Sequence, residues 1–395
     1  MSSLVFENSR AHDSGAGATG GCSACDILEM ASGKPSLIVT AGWDCLVRAW
    51  DASSGDAKGI KTETQAWVYA LRIIAPNLVA VACSGGMFPD ENTLLRVFDV
   101  TSGEMRRCLR HHKRGVHSLD VLGTRLASAS KDSVAMWDMS AAATASDEAL
   151  APTWHNAVDD EVAGVCMMPG LEQVVVGLRG KGRVVVHDVT TSTTSALQTR
   201  SSDVRDVAGI PALGPVVAAA VQDAWCVFDV RVSSPVASLP AHGKMGPSTL
   251  RSDRRAFLAT SGMDGTVSLW DARKFACVGT FSNPETSSKP ISCLSLCALD
   301  DGRSAVAVGD RDDPKQRRWT TAQLALVHPD SNVSSETCNG VREPSHTPLH
   351  HAPSCLLTHE EATREAWRRA LRRHSDRRAY ADTTKTAMLV MPAGH

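Results

Sequence analysis

Short apolar runs alternate with polar turns along most of this chain. A run such as LIVTAG or RLASAS is followed by a polar turn and then by a second apolar run that ends in an aromatic residue and Asp. Val, Ile, Leu and Ala recur with the two-residue period of a β-strand, and Gly, Asp and Ser stand at the turns. No helical stripe interrupts them, so the pattern predicts an all-β domain.

The same unit recurs along the chain. The clearest copies are LIVTAGWDCLVRAWD, RLASASKDSVAMWD and FLATSGMDGTVSLWD, and three weaker copies lie between them. The six copies end in an Asp, namely Asp51, Asp99, Asp138, Asp188, Asp229 and Asp271. Successive ends are thus 39 to 50 residues apart. A repeat of this length with a Trp-Asp end is typical of the four-stranded blades of a β-propeller.

These motifs resemble the WD-repeat (β-transducin-repeat) family over roughly residues 4–328. The resemblance implies an all-β, seven-bladed WD-repeat β-propeller that occupies residues 1–328. The first three strands of the last blade are predicted at 291–299, 304–310 and 322–328. We expect residues 4–6 to supply its fourth strand, because closing the ring in this way removes an exposed strand edge.

The resemblance also implies a hydrogen-bond network inside the best-conforming blades. It joins a His, a strand Ser or Thr, a turn Asp and the blade Trp, and a buried Asp needs such partners. We expect this network to be structural and not catalytic. Its members in blades one, three and six are His12, Thr40, Asp44 and Trp50; His112, Ser128, Asp132 and Trp137; and His242, Thr260, Asp264 and Trp270.

Composition narrows the function classes. The chain has 41 Lys and Arg and 43 Asp and Glu, so its net charge is -2. This near-neutral charge excludes general electrostatic binding to nucleic acid or to a membrane. No apolar run approaches the ~18 residues of a membrane helix, so no membrane association is expected. The 12 Cys have no regular spacing, which favours a reducing compartment, the cytoplasm or the nucleus.

The chain offers little that points to catalysis. No phosphate-binding loop, G-x-S-x-G or H-E-x-x-H motif occurs. Cys22 and Cys25 form C-x-x-C, but no second pair follows, and positions three apart on a strand face opposite ways. A propeller enzyme with a metal in the channel needs convergent His or carboxylates on the innermost strands, and no repeated set is evident. We therefore predict no catalytic residue, no cofactor, no metal site and no enzyme activity.

The turn that follows the blade-end Asp has a different residue in two of the six blades. Blades one to four have Ser or Thr two residues after that Asp, whereas blades five and six have Arg, in Asp229-Val-Arg231 and Asp271-Ala-Arg273. These turns are similar to the paired D-x-R boxes of WD-repeat substrate receptors, which dock on the damage-specific DNA-binding adaptor of cullin-four ubiquitin ligases. The resemblance implies that the four residues contact this adaptor. The alternative is that they only bridge neighbouring strands.

A second partner surface is predicted on the opposite face of the propeller. There the residue before each turn Asp tends to point toward whatever docks, and an exposed Trp or Met is typical of a binding hot spot. These residues are Trp43, Lys131, Gln222 and Met263. The alternative for Trp43 is that it folds onto its own blade.

The C-terminal part differs in composition. Residues 329–357 read as a disordered linker and 381–395 as a disordered tail, and between them 358–380 have a capping-box start and many arginines, which predicts a basic helix. We expect this helix to bind RNA or an acidic protein, and the alternative is that it is only a solvated surface helix.

The sequence predicts a non-catalytic scaffold for a multiprotein complex, with a cullin-four substrate receptor as the sharper hypothesis. The alternative is an RNA-associated factor in RNA processing or ribosome biogenesis.

Overall fold

Contacts divide the chain into two units. They are Met1–Ser334 and Ser335–His395. The computed structural model describes residues 3–8, 21–29, 35–52, 54–64, 66–84, 95–140, 149–199, 201, 203–282, 290–298, 304–310 and 322–327. The predicted linker, basic helix and tail (329–357, 358–380 and 381–395) lie outside these residues, so the RNA hypothesis stays a prediction.

The described chain is built from short antiparallel strands. The first is β1 (Ser3–Asn8). The strands of blades one to three are β2 (Cys22–Glu29), β3 (Pro35–Gly42), β4 (Leu46–Asp51) and β5 (Ala57–Glu63); β6 (Trp67–Ala75), β7 (Leu78–Ser84), β8 (Leu95–Asp99) and β9 (Met105–Leu109); and β10 (Val116–Leu122), β11 (Arg125–Ser130), β12 (Ser133–Asp138) and β13 (Trp154–Ala157). Each blade is thus one four-stranded sheet made from consecutive strands.

Blades four to six repeat this arrangement. Their strands are β14 (Val162–Met168), β15 (Gln173–Leu178), β16 (Arg183–Asp188) and β17 (Thr194–Gln198); β18 (Val204–Gly209), β19 (Val216–Val221), β20 (Ala224–Asp229) and β21 (Ala237–Pro240); and β22 (Pro247–Ser252), β23 (Phe257–Gly262), β24 (Thr266–Asp271) and β25 (Ala276–Ser282). Two 3-10 helices, Pro211–Leu213 and Gly243–Met245, lie in connections. No helix of the described chain has the length and hydropathy to cross a membrane.

A further sheet joins the two ends of the first unit. Its strands are β26 (Ile291–Ala298), β27 (Ser304–Asp310) and β28 (Ala322–Val327). The N-terminal β1 pairs antiparallel with β28 and completes four strands. The innermost strands β2, β6, β10, β14, β18, β22 and β26 contact one another in that order, and β26 contacts β2. The sheets therefore form a closed ring around a central channel, and the all-β propeller predicted from the sequence is confirmed.

The hydrophobic core lies between neighbouring blades. For example, Val39 and Val47 of blade one pack with Val79 and Val81 of blade two, and all four are buried. Both faces of each middle strand are covered, which explains nearly unbroken apolar runs such as VVAAAV in β19. Burial on both faces makes each blade depend on its neighbours, as expected for a repeat fold.

Each innermost strand has a β-bulge near its start, at the third residue of β6 and at the second residue of the other six. The register shifts there in β2, β6, β10, β14, β18, β22 and β26. A bulge inserts one unpaired residue and re-aims the side chains around it. The bulged residues are Ser23, Tyr69, His117, Ala163, Arg205, Ser248 and Ser292.

The ring has two distinct edges because the strands of each blade alternate in direction. The innermost strands begin at the same edge as the turns between second and third strands, and this edge is here called the mouth edge. The turns between third and fourth strands lie at the opposite edge, here called the far edge. The two predicted partner surfaces therefore occupy opposite edges.

Candidate interaction surfaces and the central channel

The polar network of blade six connects the four residues that the sequence predicted. The Trp270 indole nitrogen donates to the Thr260 hydroxyl over 2.9 Å, and His242 Nε2 lies 2.9 Å from the same oxygen. His242 Nδ1 lies 3.1 Å from an Asp264 oxygen and 3.0 Å from the Thr266 hydroxyl. Although burial alone raises the pKa of Asp264, hydrogen bonds from His242 and Thr266 lower it overall. These hydrogen bonds give the four residues a structural role, so their presence does not indicate catalysis.

Blade three holds its histidine differently. His112 Nε2 lies 2.7 Å from the Ser128 hydroxyl, which also accepts the Trp137 indole N–H at 2.8 Å. His112 Nδ1 lies 2.8 Å from the Ser133 hydroxyl, whereas Asp132 accepts a backbone N–H from the loop that carries the histidine. Burial lowers the pKa of His112 to about 4, so the imidazole is neutral at pH 7.

Blade one shows part of the same arrangement. The Trp50 indole nitrogen donates to Thr40 Oγ1 over 2.8 Å. Asp44 accepts from Arg48 Nη1 at 2.7 Å, a partner that the sequence did not indicate. His12 lies outside the described residues, so its place in this network stays a prediction.

The two D-x-R boxes at the far edge have the same closed geometry. Asp229 Oδ1 accepts the Arg231 backbone N–H at 3.0 Å and Nε at 2.8 Å, and Oδ2 accepts from Nη2. Asp271 and Arg273 repeat this, at 2.9 Å for the backbone N–H and 3.2 Å for each guanidinium nitrogen. Both carboxylates are buried, but the two arginine side chains are 42% and 56% exposed. Each box therefore closes within its own turn and presents a positioned arginine.

Aromatic rings form a connected group at the mouth edge of blades one to three. The ring centroids of Trp43 lie 6.3 Å from Trp67 and 6.2 Å from Tyr69, and those of Tyr69 and His117 lie 4.8 Å apart. Trp67 is 41% exposed, and the other three are half-buried. These four residues are here called the aromatic patch. The sequence indicated only Trp43, because the bulges that bring Tyr69 and His117 to the mouth have no signature of their own.

The remaining mouth-edge residues predicted from the sequence are distributed around the ring. Lys131 Nζ lies 3.2 Å from Glu161 of the next blade. Glu161 also pairs with Arg179, which approaches Asp203, and Asp203 pairs with Arg205 at 2.9 Å. Lys131 therefore begins a chain of ion pairs that runs along blades three to five, here called the ion-pair chain.

Gln222 and Met263 lie in mouth-edge turns of blades five and six. Both are exposed, Met263 to 44%, and Met245 in the loop before blade six is exposed to 56%. Together with the patch and the ion-pair chain, they give the mouth edge an aromatic side, a charged side and a methionine-bearing side.

Charged side chains of the innermost strands converge in the central channel. Asp206 accepts a backbone N–H of blade six at 3.0 Å and pairs with Arg251. Asp120 accepts a backbone N–H of blade four at 2.8 Å, and its oxygens accept from Arg254 Nη2 at 2.7 and 2.8 Å. Asp26 accepts a backbone N–H of blade two at 2.9 Å and a serine hydroxyl of β26 at 2.8 Å.

These aspartates connect blades. Each accepts hydrogen bonds from a neighbouring blade, and the Asp120–Arg254 pair spans the ring from blade three to blade six. Burial lowers the pKa of Arg254, but the charge and the hydrogen bonds of Asp120 raise it overall. Among the residues that the structure describes, no group of three or more His, Cys, Asp or Glu side chains is arranged to hold a metal ion.

Cys22 and Cys25 lie in one buried cluster, so the expectation that they face opposite ways is wrong. The bulge in β2 falls between them, and both pack against Cys293 of β26. The Cys22 and Cys293 sulfurs are 3.6 Å apart. A hydrogen bond with Cys293 and burial raise the pKa of Cys25 well above its usual value. Buried thiols with a raised pKa are inert, so the cluster fills the junction between the first and last blades.

A closed ring of four-stranded antiparallel sheets around a channel defines the chain as a β-propeller. The family described as "WD domain, G-beta repeat" matches residues 233–271, from just before β21 to the end of β24. No curated protein matches the chain. The matched repeat, the ring and the Trp–Ser/Thr–His networks together confirm the predicted resemblance to the WD-repeat β-propeller family.

Proposed function

We propose that this protein is a non-catalytic scaffold that holds one partner protein at the mouth edge and a second at the far edge. WD-repeat propellers bind other proteins, and the fold supports a scaffold of this kind. The observation that carries the proposal is the aromatic patch.

Three properties make the aromatic patch a suitable docking surface. Trp and Tyr dominate the binding energy of many interfaces, because they bury a large apolar area with few rotatable bonds. Trp67 leaves 41% of its surface in water, and contact with Trp43 limits the orientations open to both rings. The ion-pair chain beside the patch supplies the polar border that interfaces usually have.

A matched pair of substitutions tests the mouth edge. Trp67→Ala removes the most exposed ring of the patch, and Met105→Ala removes a 53% exposed apolar side chain at the far edge. In quantitative affinity purification with the full chain, a mouth-edge partner should be lost with Trp67→Ala and retained with Met105→Ala. A hot-spot truncation of about 2 kcal/mol lowers affinity roughly 30-fold. Identical partner sets for both variants would contradict the proposal.

The second partner we propose is the damage-specific DNA-binding adaptor of cullin-four ubiquitin ligases, which would make the protein a substrate receptor. The duplicated D-x-R geometry favours this candidate. In each box the buried carboxylate fixes the guanidinium through Nε and Nη2, and Nη1 makes no hydrogen bond among the described residues. Two positioned arginines on adjacent blades thus retain donors suited to forked contacts with carboxylates or carbonyls.

The far edge is tested with purified adaptor and full-length protein. Arg231→Ala/Arg273→Ala should abolish binding measured by surface plasmon resonance, while Arg110→Ala/Arg114→Ala, which removes two exposed arginines elsewhere, should leave it unchanged. Arg231→Lys/Arg273→Lys keeps both charges but loses the fork, so it should bind weakly. Absence of binding by the unsubstituted protein removes the cullin-four candidate and leaves the mouth-edge proposal standing.

A further inference from the structure

Two cavities lie end to end in the central channel. The first, of about 160 Å³, is lined by the bulged residues and so lies toward the mouth edge. The second, of about 210 Å³, lies deeper and contains Asp120 and Arg254 in its wall. Arg72 and Arg251 line both cavities and therefore mark the boundary between them.

Arg72 differs from the other arginines of the channel because it has no carboxylate partner. Its Nη1 donates to the carbonyl of Leu71 at 2.8 Å, and within the described residues it forms no ion pair. Arg251 and Arg254, by contrast, each pair with an aspartate. Burial and the nearby charge of Arg251 lower the pKa of Arg72 although the charges of Asp26, Asp120 and Asp206 oppose this, and a guanidinium stays protonated in proteins. These carboxylates act without a direct contact, so the remaining guanidinium donors of Arg72 have no hydrogen-bonded carboxylate among the described residues.

Arg251 also retains donors. Its Nη1 donates to Asp206 and to the Leu250 carbonyl at 2.7 Å, which leaves the other guanidinium nitrogens. Nε is buried and has no hydrogen-bond partner among the described residues. Unpaired buried donors are rare in folded proteins and indicate a missing partner.

The charges around the cavities balance in number, but they are not all paired by direct contact. The lining contains Arg72, Arg205, Arg251 and Arg254 against Asp26, Asp120 and Asp206. All three carboxylates already accept hydrogen bonds from neighbouring blades. Arg205 is paired with Asp203, so three guanidinium groups face three carboxylates, and among the described residues Arg72 is the one whose guanidinium forms no ion pair.

Three of the serine hydroxyls that line the first cavity already have acceptors. Those of Ser23, Ser248 and Ser292 each donate to a carbonyl of the next blade. His117 adds no charge, because burial lowers its pKa below the usual value. The guanidinium groups of Arg72 and Arg251 are therefore charged donors available to a ligand in this part of the channel, which the hydroxyls of Tyr69, Ser118 and Thr249 also line.

We propose that the channel binds one small tetrahedral oxyanion of the phosphate type between Arg72 and Arg251. Guanidinium groups match the oxygen spacing of phosphate and bind it through charge-assisted hydrogen bonds. Each cavity is smaller than the ~300–1,000 Å³ of pockets for drug-sized ligands. The volume suits a single inorganic anion, which enters from the mouth edge.

Isothermal titration calorimetry with inorganic phosphate tests the site. Full-length protein, in chloride buffer of constant ionic strength, should give saturable heat for one site at millimolar phosphate or below. Arg72→Met, which keeps the apolar stem, should bind at least about ten-fold more weakly, since contacts to charged groups are the strong ones. Arg114→Met removes an exposed arginine outside the channel and should bind as the unsubstituted protein does. Absence of saturable heat, or equal affinity in Arg72→Met, would overturn the proposal.

A thermal measurement covers the case in which Arg72→Met folds poorly. Phosphate should raise the Tm of the unsubstituted protein in a concentration-dependent way, because a ligand that binds only the folded state stabilises it. Arg72→Lys keeps the charge but loses the fork, so its Tm should rise less. Phosphate also stabilises proteins through general exclusion, but that effect is equal in all variants. The same Tm increase in Arg72→Lys, Arg72→Met and Arg114→Met would refute the site.

Discussion

His112 makes the stability of the ring depend on pH. Its two ring nitrogens contact the hydroxyls of Ser128 and Ser133, and burial lowers its pKa to about 4. An unfolded histidine has a pKa of ~6.5. Because the folded pKa is the lower one, the unfolded chain takes up the proton first as the pH falls. The stabilisation is therefore complete above about pH 6.5 and is lost as the pH falls toward 4.

The size of the effect follows from these two pKa values. A difference from ~6.5 to about 4 corresponds to about 3 kcal/mol when both states have titrated fully. Between about pH 7.5 and about pH 5 the same difference contributes roughly 2 kcal/mol. For a protein with a typical stability of ~5–15 kcal/mol, this is a large fraction.

The assay is urea unfolding at these two pH values. His112→Gln removes the titrating group, and the exposed His155→Gln is the matched control. His112→Gln should be less stable at the higher pH, because it loses contacts to two hydroxyls, and it should lose about 2 kcal/mol less than the unsubstituted protein on acidification. Other titrating groups act in both proteins and cancel. Equal losses in the two proteins, or the smaller loss in His155→Gln, would refute the reasoning.

Three further substitutions test the contacts within and between blades. Arg254→Met breaks the pair with Asp120 across the channel and should lower the free energy of urea unfolding by about 2 kcal/mol, a value reduced for partial exposure. Gly309→Ala places a methyl group 2.6 Å from two cysteine sulfurs and should lower the Tm, and adding Cys293→Ala should restore part of the loss. Thr260→Val removes the acceptor of a histidine and a tryptophan, so urea unfolding should show a loss of about 2 kcal/mol while circular dichroism stays unchanged.

The contacts that could be predicted are local in sequence. Trp270 and Thr260 are ten residues apart in a hairpin of two paired strands, so their hydrogen bond follows from the strand pattern and the turn length. The two D-x-R boxes are local as well, because an Asp reaches the backbone two residues later in a tight turn. The repeat made these contacts recognisable several times in one chain.

The sites that could not be predicted are non-local. Asp120 and Arg254 are 134 residues apart, and Cys22 and Cys293 are 271 apart, so only closure of the ring brings them together. The bulges in the innermost strands have a further effect. A single unpaired residue shifts the two-residue alternation, so a side chain expected on one face of a strand lies on the other.

The sequence by itself determined the repeating blade, its strands, its Trp networks and the arginines at the far edge, because hydrophobic alternation and turn chemistry act over a few residues. The tertiary structure alone decided the aromatic patch and the charged channel. Tyr69 and His117 meet, and Arg72 lies beside Arg251 in the channel wall, only because separate blades bring their innermost strands to a common axis. Those positions depend on the bulges and on packing between blades, for which a linear pattern has no signal.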